Sequence, residues 1–242
     1  MRLSLLRHCA WSGFCAVLLV GCGPLYMSDI YTSAPSTQSV ELRGLDRTPV
    51  AILGVICPAG LQGFAPFLSH ALVRASSQSQ PPIRVIPTSE TISTLNEHGQ
   101  GLASDYTQLL SGFMASGILD RKRMSAIGAT LNSPYVLLPG LAEFDETVID
   151  RYEVVGLKLV RNRITTLRLW LQLWDANSGR LLWESTGEIT AVTALLTVKR
   201  TIPLEVLAGR LWLQMIQENL VQAKSSNSTV FPRPNSVKSQ LY

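Results

Sequence analysis

Histidine, paired cysteine and dense charge are all scarce in this chain, and each scarcity removes a class of function. Among 242 residues there are 3 histidines and 4 cysteines, and charged residues make up 16%. Past the amino-terminal segment only His70 and His98 remain, and neither stands in a metal-ligand spacing. A Gly-x-Ser-x-Gly elbow and the phosphate-binding glycine loops are also absent. No cofactor, no metal site and no enzymatic activity are therefore expected. The formal charge is +4, which falls to +2 once Arg2 and Arg7 are discounted. A near-neutral domain gives no footing for nucleic acid.

What the chain does have begins at residue 1. Arg2 and Arg7 give a positive start, and no acidic residue precedes Asp29. Phe14 to Val20 is a short apolar core, below the roughly 20 residues a bilayer span needs. Leu19-Val20-Gly21-Cys22 then resembles the lipobox of bacterial lipoproteins, with leucine three before the cysteine and glycine one before it. The resemblance implies a signal over residues 1–21 and a diacylated Cys22 as the new amino terminus. Several acyl chains, at about 0.8 kcal/mol per buried CH₂, make a durable anchor. Gly23 stands where aspartate would mark inner-membrane retention. The implied location is thus the periplasmic face of the outer membrane.

Cys9 and Cys15 would leave with the signal and Cys22 would be consumed by lipid, so Cys57 alone would remain and no internal disulfide is expected. Cys57 follows the apolar run Val50–Ile56 and reads as a small buried hydrophobe. Residues 22–48, rich in Ser, Thr and Pro, read as a lipidated tether. Residues 222–242 read as a disordered polar tail. The domain proper is expected over residues 49–221, long enough for one sizeable core.

Within it, Val50–Ile56 predicts a buried strand. Leu61, Phe64, Leu68, Leu72 and Ala75 predict a helix whose regular part starts near Ala65, with Pro66 in its first turn. Ile83–Ile86 is a short strand. Helices follow near Ile92–Leu95, from Leu102 to a stop at Gly117, and from an N-cap at Asp120. Tyr135–Leu138 and Leu141–Phe144 read as strands interrupted by Pro139-Gly140, and residues 154–160 as a weaker one. Thr166–Trp174 alternates clearly, with Leu167, Leu169, Leu171 and Leu173 on one side. Asp175–Gly179 is a turn, and Leu181–Ile189 returns antiparallel. Val206, Leu207, Leu211, Met215 and Leu220 mark the buried face of a last helix behind Pro203. This order predicts an α/β fold, a mixed and largely antiparallel sheet packed by helices.

The opening strand, the helix leading into Tyr135–Gly140, and the hairpin Leu171–Asp175 … Ser178-Gly179-Arg180 … Trp183-Glu184 together resemble a superfamily of envelope lipoprotein domains. It includes the curli-secretion lipoprotein, lipoprotein activators of penicillin-binding proteins and the amino-terminal domain of the Tol-system β-propeller protein. The resemblance spans roughly residues 49–221. It implies a lipid-anchored interaction or assembly module that meets another envelope protein, with a subunit of a curli-type secretion pore as the alternative.

Three groups of side chains invite a functional reading. Trp174 and Trp183 are expected as diagonal neighbours across the hairpin, serving either packing or a ligand platform. Asp145, Glu146 and Asp150 read either as a solvated turn or as paired carboxylates. Lys158, Arg161, Arg163 and Arg168 form a basic cluster, either a solvated strand face or a contact for anionic lipid headgroups or an acidic partner.

Overall fold

The computed structural model describes residues 26–34, 45, 47–98, 101–153, 157–194 and 202–221, with side chains at all of these but 26–27, 150–161, 194 and 221. The segments expected as signal (1–21) and polar tail (222–242), and Cys22, lie outside the described residues. Among those described, six strands form one sheet in the order β1-β6-β5-β4-β2-β3. They are β1 Tyr26–Ser33, β2 Val50–Ile52, β3 Val85–Ile86, β4 Tyr135–Glu153, β5 Leu157–Asp175 and β6 Leu181–Ala194. β2 runs parallel to β3 and β4, and every other pairing is antiparallel. The helices are α1 Ala65–Gln78, α2 Thr88–Glu97, α3 Leu102–Ser116, α4 Arg121–Thr130 and α5 Leu204–Met215, the last continued by a π-helical turn, Ile216–Val221. The expected α/β class, a mixed sheet packed by helices, is the observed one.

Strand alternation builds two cores. Leu167, Leu169, Leu171 and Leu173 of β5, with Trp183 and Ile189 of β6, meet Leu68 and Leu72 of α1 and Leu207, Leu211 and Trp212 of α5. On the opposite face Val136, Leu138 and Trp174 meet Leu95, Leu109, Met124 and Ile127 from α2, α3 and α4. Each fully buried side chain of this size contributes about 1.5–3 kcal/mol. The helix ends follow local chemistry. The Asp120 carboxylate accepts the Arg123 N–H at 2.8 Å, and Gly117 closes α3 at φ 72°, where a side chain is disfavoured. Val206 turns outward at 38% exposure, because the buried stripe of α5 runs through Leu207, Ala208, Leu211, Trp212 and Met215.

Pro139-Gly140 does not interrupt β4. The Leu53 N–H donates to the Leu137 carbonyl, and the next parallel rung would need an N–H at residue 139. Proline has none, and the Leu53 carbonyl accepts the Thr88 hydroxyl instead, at 3.1 Å. Gly140 leaves room for Trp170, whose indole occupies the space a side chain at 140 would need.

Two bulges decide which residues face where. Ala142 is the extra residue on β4, so that Glu143 turns outward opposite Arg168 while Phe144 turns to the first core, 5.0 Å from Phe64 between ring centroids. Leu182 is the extra residue on β6, between the pairs Leu173↔Trp183 and Trp174↔Leu181. That second bulge overturns the expected Trp174–Trp183 neighbourhood. A one-residue slip moves a side chain to the other face. Trp183 therefore enters the α5 core, its indole N–H donating to the Asn219 carbonyl at 3.0 Å, while Trp174 packs under α2–α4.

The tether reading of residues 22–48 is corrected at residues 26–33. They form an edge strand, each residue paired with β6 from Tyr26↔Thr193 to Ser33↔Thr186. Ile30 packs on the first core. Thr32 Oγ1 donates to Glu218 Oε2 at 2.6 Å, and the Ser33 carbonyl accepts from the buried Ser185 hydroxyl at 3.2 Å. That hydroxyl in turn accepts from Asn219 Nδ2 at 3.0 Å. A polar, weakly patterned segment can make such a strand because its stability lies in the backbone ladder and in polar contacts at one end.

Candidate functional site

The long strands outrun their helices. β4 and β5 are 19 residues each, and the helix-packed cores hold only their inner halves. Past Gly140 on the α2–α4 side, the ladder sets Glu143, Arg168 and Glu188 abreast on three neighbouring strands. None of the three is buried. Arg168 Nη1 lies 2.5 Å from Glu143 Oε2, and its Nε lies 2.6 Å from Glu188 Oε2. The hydrogen bond it donates to Glu188 and the charges of Glu143 and Glu188 raise the pKa of this guanidinium, so it stays charged under all ordinary conditions. Beside it, Trp174 Nε1 donates to Gln172 Oε1 at 3.2 Å and Gln172 Nε2 to Glu184 Oε1 at 2.8 Å. Thr166 and Thr190 carry the face further out, their hydroxyls 3.4 Å apart, and Tyr31 on β1 stands 68% exposed. The arrangement is a polar, weakly acidic sheet surface with its one central cation held from both sides.

The expected basic cluster is thereby divided. Arg168 belongs to this surface, while Arg163, an odd number of residues away on the same strand, belongs to the opposite face. There its Nε lies 3.2 Å from Glu146 Oε1. Lys158 and Arg161 hold ladder positions opposite Tyr152 and Asp150; their side chains lie outside those described. Asp145 and Glu146 are not a turn but consecutive strand residues, facing opposite sides. Asp145 accepts the Thr147 hydroxyl at 2.9 Å.

The remaining polar candidates have local explanations. Cys57 is half-buried against the first core, and burial raises its thiol pKa, which disfavours the reactive thiolate. His70 and His98 are exposed, and His98 Nδ1 meets the Thr94 carbonyl at 2.8 Å. Among the described residues no three His, Cys, Asp or Glu side chains gather as a metal site would require, and no helix is long and apolar enough to cross a membrane. A recess of about 230 Å³ opens between α2 and α3, lined by Ile92, Leu95, Asn96, Ala103, Tyr106 and Thr107. Burial raises the pKa of the Tyr106 phenol against the lowering effect of Gly54, whose N–H it accepts at 2.8 Å.

Sequence reasoning missed the Glu143–Arg168–Glu188 row. The turn at Asp175 would have given the register, but both bulges had to be known before the faces could be assigned.

No family model and no curated protein matches the chain. Among solved structures, it is similar to a single-residue variant of the PelC dodecamer from Paraburkholderia phytofirmans (TM-score 0.40, 13% identity, 78% of this chain and 96% of that one). It is also similar to lipoprotein GNA1162 from Neisseria meningitidis (TM-score 0.38, 16% identity, 68% and 92%). A third is the LpoB C-terminal domain from Salmonella enterica (TM-score 0.33, 12% identity, 58% and 81%). At these scores and identities the likenesses carry neither function nor assembly over to this chain.

Proposed function

We propose that this chain is a lipid-anchored envelope lipoprotein, held by Cys22 at the periplasmic face of the outer membrane, whose α/β domain is a non-enzymatic protein-interaction or assembly module. The observation that carries this reading is the uncovered sheet surface around Arg168. Among the described residues this face spans β4, β5, β6 and β1 without a helical layer and is studded with groups that can hydrogen-bond across an interface. Its charges are fixed in position by one another, which favours a partner's recognition over catalysis. The Leu19–Cys22 motif supports the anchor.

A photo-crosslinking residue at Thr166, in the full chain in its native envelope, tests the module. A discrete adduct with one envelope protein is expected, together with none from the same group at Phe67 on α1, which is 55% exposed. Equal, diffuse labelling at both sites would end the proposal.

The secretion pore is the rival. β4 and β5 exceed the roughly 9–11 residues of a membrane strand. A lipid-facing band, however, must be apolar on one side throughout. Here Glu143, Asp145 and Glu188 occupy one face and Glu146 the other. Lipidated protein in planar bilayers is expected to conduct no current above background, and discrete channel steps would make the pore the better reading.

A further inference from the structure

Building on the proposed Cys22 anchor, we infer that the far end of the β4–β5 ladder is seated in the headgroup layer of the membrane beside the anchoring lipid. The argument is one of register. Tyr26 pairs with Thr193, Thr193 with Arg163, and Arg163 with Val148, so the first residue of β1 lies level with the outer part of the β4–β5 ladder. β1 also starts at that end and runs away from it. Cys22 is four residues before Tyr26 and so lies within about 14 Å of it at full extension. From Val148 the ladder continues to the pair Glu153↔Leu157, about 17 Å further out at the rise of an extended strand. Anchor and ladder end are therefore held at one pole of the molecule, with the ladder reaching at least as far as the lipidated residue. A loose tether of residues 22–48 would have permitted any orientation; β1 removes that freedom.

The chemistry of that end fits a lipid surface. Val148 and Ile149, on opposite faces of β4, are 48% and 40% exposed. Apolar exposure on both faces suits a medium that surrounds the strand, whereas a protein layer would cover one face. The rungs beyond hold Arg151, Tyr152, Leu157, Lys158, Val160 and Arg161, with Leu159 the extra residue at a register shift. This mixture of aliphatic residues, tyrosine and cations is the composition of membrane-interface segments. Shallow seating, not spanning, is implied, because Asp150 and Glu153 interrupt the same rungs.

The test uses the full lipidated chain, with acylation of Cys22 first established by the mass of its amino-terminal peptide. In a Cys57→Ser background, single cysteines replacing Leu157, Val160 or Leu181 carry an environment-sensitive fluorophore. Leu181 is 39% exposed and begins β6 at the opposite end of the sheet. In vesicles of phosphatidylcholine and phosphatidylglycerol, the labels at 157 and 160 are expected to shift to the blue. They are also expected to be quenched by nitroxide lipid, while the label at 181 is unchanged. An unsubstituted readout runs alongside. Amide exchange over residues 149–162 should slow in vesicles relative to the soluble Cys22→Ser protein, with residues 175–181 unaffected. Acylated protein whose label at 157 stays as wet as that at 181, with unchanged exchange, overturns the seating but leaves the anchor standing. An unacylated Cys22 overturns the anchor and the seating with it.

Discussion

The two halves of the β4–β5 ladder are the same strands under different rules. From Tyr135 to Leu141 and from Leu169 to Asp175, both faces are helix-covered, and Leu137, Leu138, Leu171 and Leu173 are almost without solvent contact. From Glu143 to Ile149 and back through Asn162 to Arg168, only Leu167 is buried. The covered half is specified by hydrophobic burial, which punishes any change of volume. The open half is held by backbone hydrogen bonds and by charges placed abreast. Such charges set position and register while adding little to stability. Stability should therefore concentrate in one half of the sheet and recognition in the other.

The sharpest way to break this comparison is to truncate a side chain in each half. Trp183→Ala empties a large, fully buried site under α5 and leaves the Asn219 carbonyl without the indole donor. It should cost about 3–5 kcal/mol in urea denaturation, the range for aromatic-to-alanine changes in cores. A cost below about 1 kcal/mol would mean that the α5 layer is not the principal source of stability.

The next largest effect concerns β1, which joins the two halves through β6. A chain of residues 49–221 would lose the Ile30 contact and the Ser33–Ser185 bond, and would expose the β6 edge. Relative to a chain of residues 23–221 it should be less stable by about 2–3 kcal/mol and more prone to aggregate. Equal unfolding midpoints would show β1 to be a passenger on the sheet.

The same contrast explains what the sequence could reveal. Asp120 as N-cap, Gly117 as helix end, Pro66 in a first turn and the leucines of β5 are local or periodic signals, and each was readable. β1 was not, because its partner lies about 160 residues away and, among its described side chains, Ile30 alone packs on the core. Nor was the row Glu143–Arg168–Glu188, since it requires the bulges at Ala142 and Leu182. A bulge leaves no mark on composition or periodicity until the partner strand is known. The basic cluster Lys158, Arg161, Arg163 and Arg168 looked like a unit in sequence. Strand alternation alone separates Arg163 from Arg168, and only the ladder shows the one carboxylate that Arg163 meets and the two that Arg168 meets.

A smaller effect comes from the turn that closes the covered half. Burial pushes the Asp175 carboxyl up. The N–H groups of Ser178 and Asn177, the Ser178 side chain and the charge of Arg180 outweigh it, and the pKa falls below the ordinary value. A carboxyl whose folded pKa is depressed contributes stability above its unfolded pKa of about 3.9 and loses it as pH falls through the folded value. Asp175→Asn should therefore flatten the acid limb of the stability curve below about pH 4. The group is half-buried in a surface turn and reached by solvent, so the contribution at neutral pH should stay under about 1 kcal/mol. An acid limb identical to wild type would remove Asp175 from the account.

The smallest expected change in stability is the most informative for function. Arg168→Ala removes both ion pairs of the open face, yet each is solvent-accessible and screened, so the unfolding midpoint should stay within the scatter of wild type. What changes is the surface. Glu143 and Glu188 lose their shared counter-charge, and a weakly acidic face becomes strongly acidic. If that face meets a partner, the adduct from a crosslinker at Thr166 should fall several-fold in Arg168→Ala and recover largely in Arg168→Lys, which restores the charge without the forked geometry. A variant that unfolds earlier than wild type would move the open half into the stabilising part of the molecule. A variant of native stability that keeps its full adduct yield would show that recognition does not run through the Arg168 row.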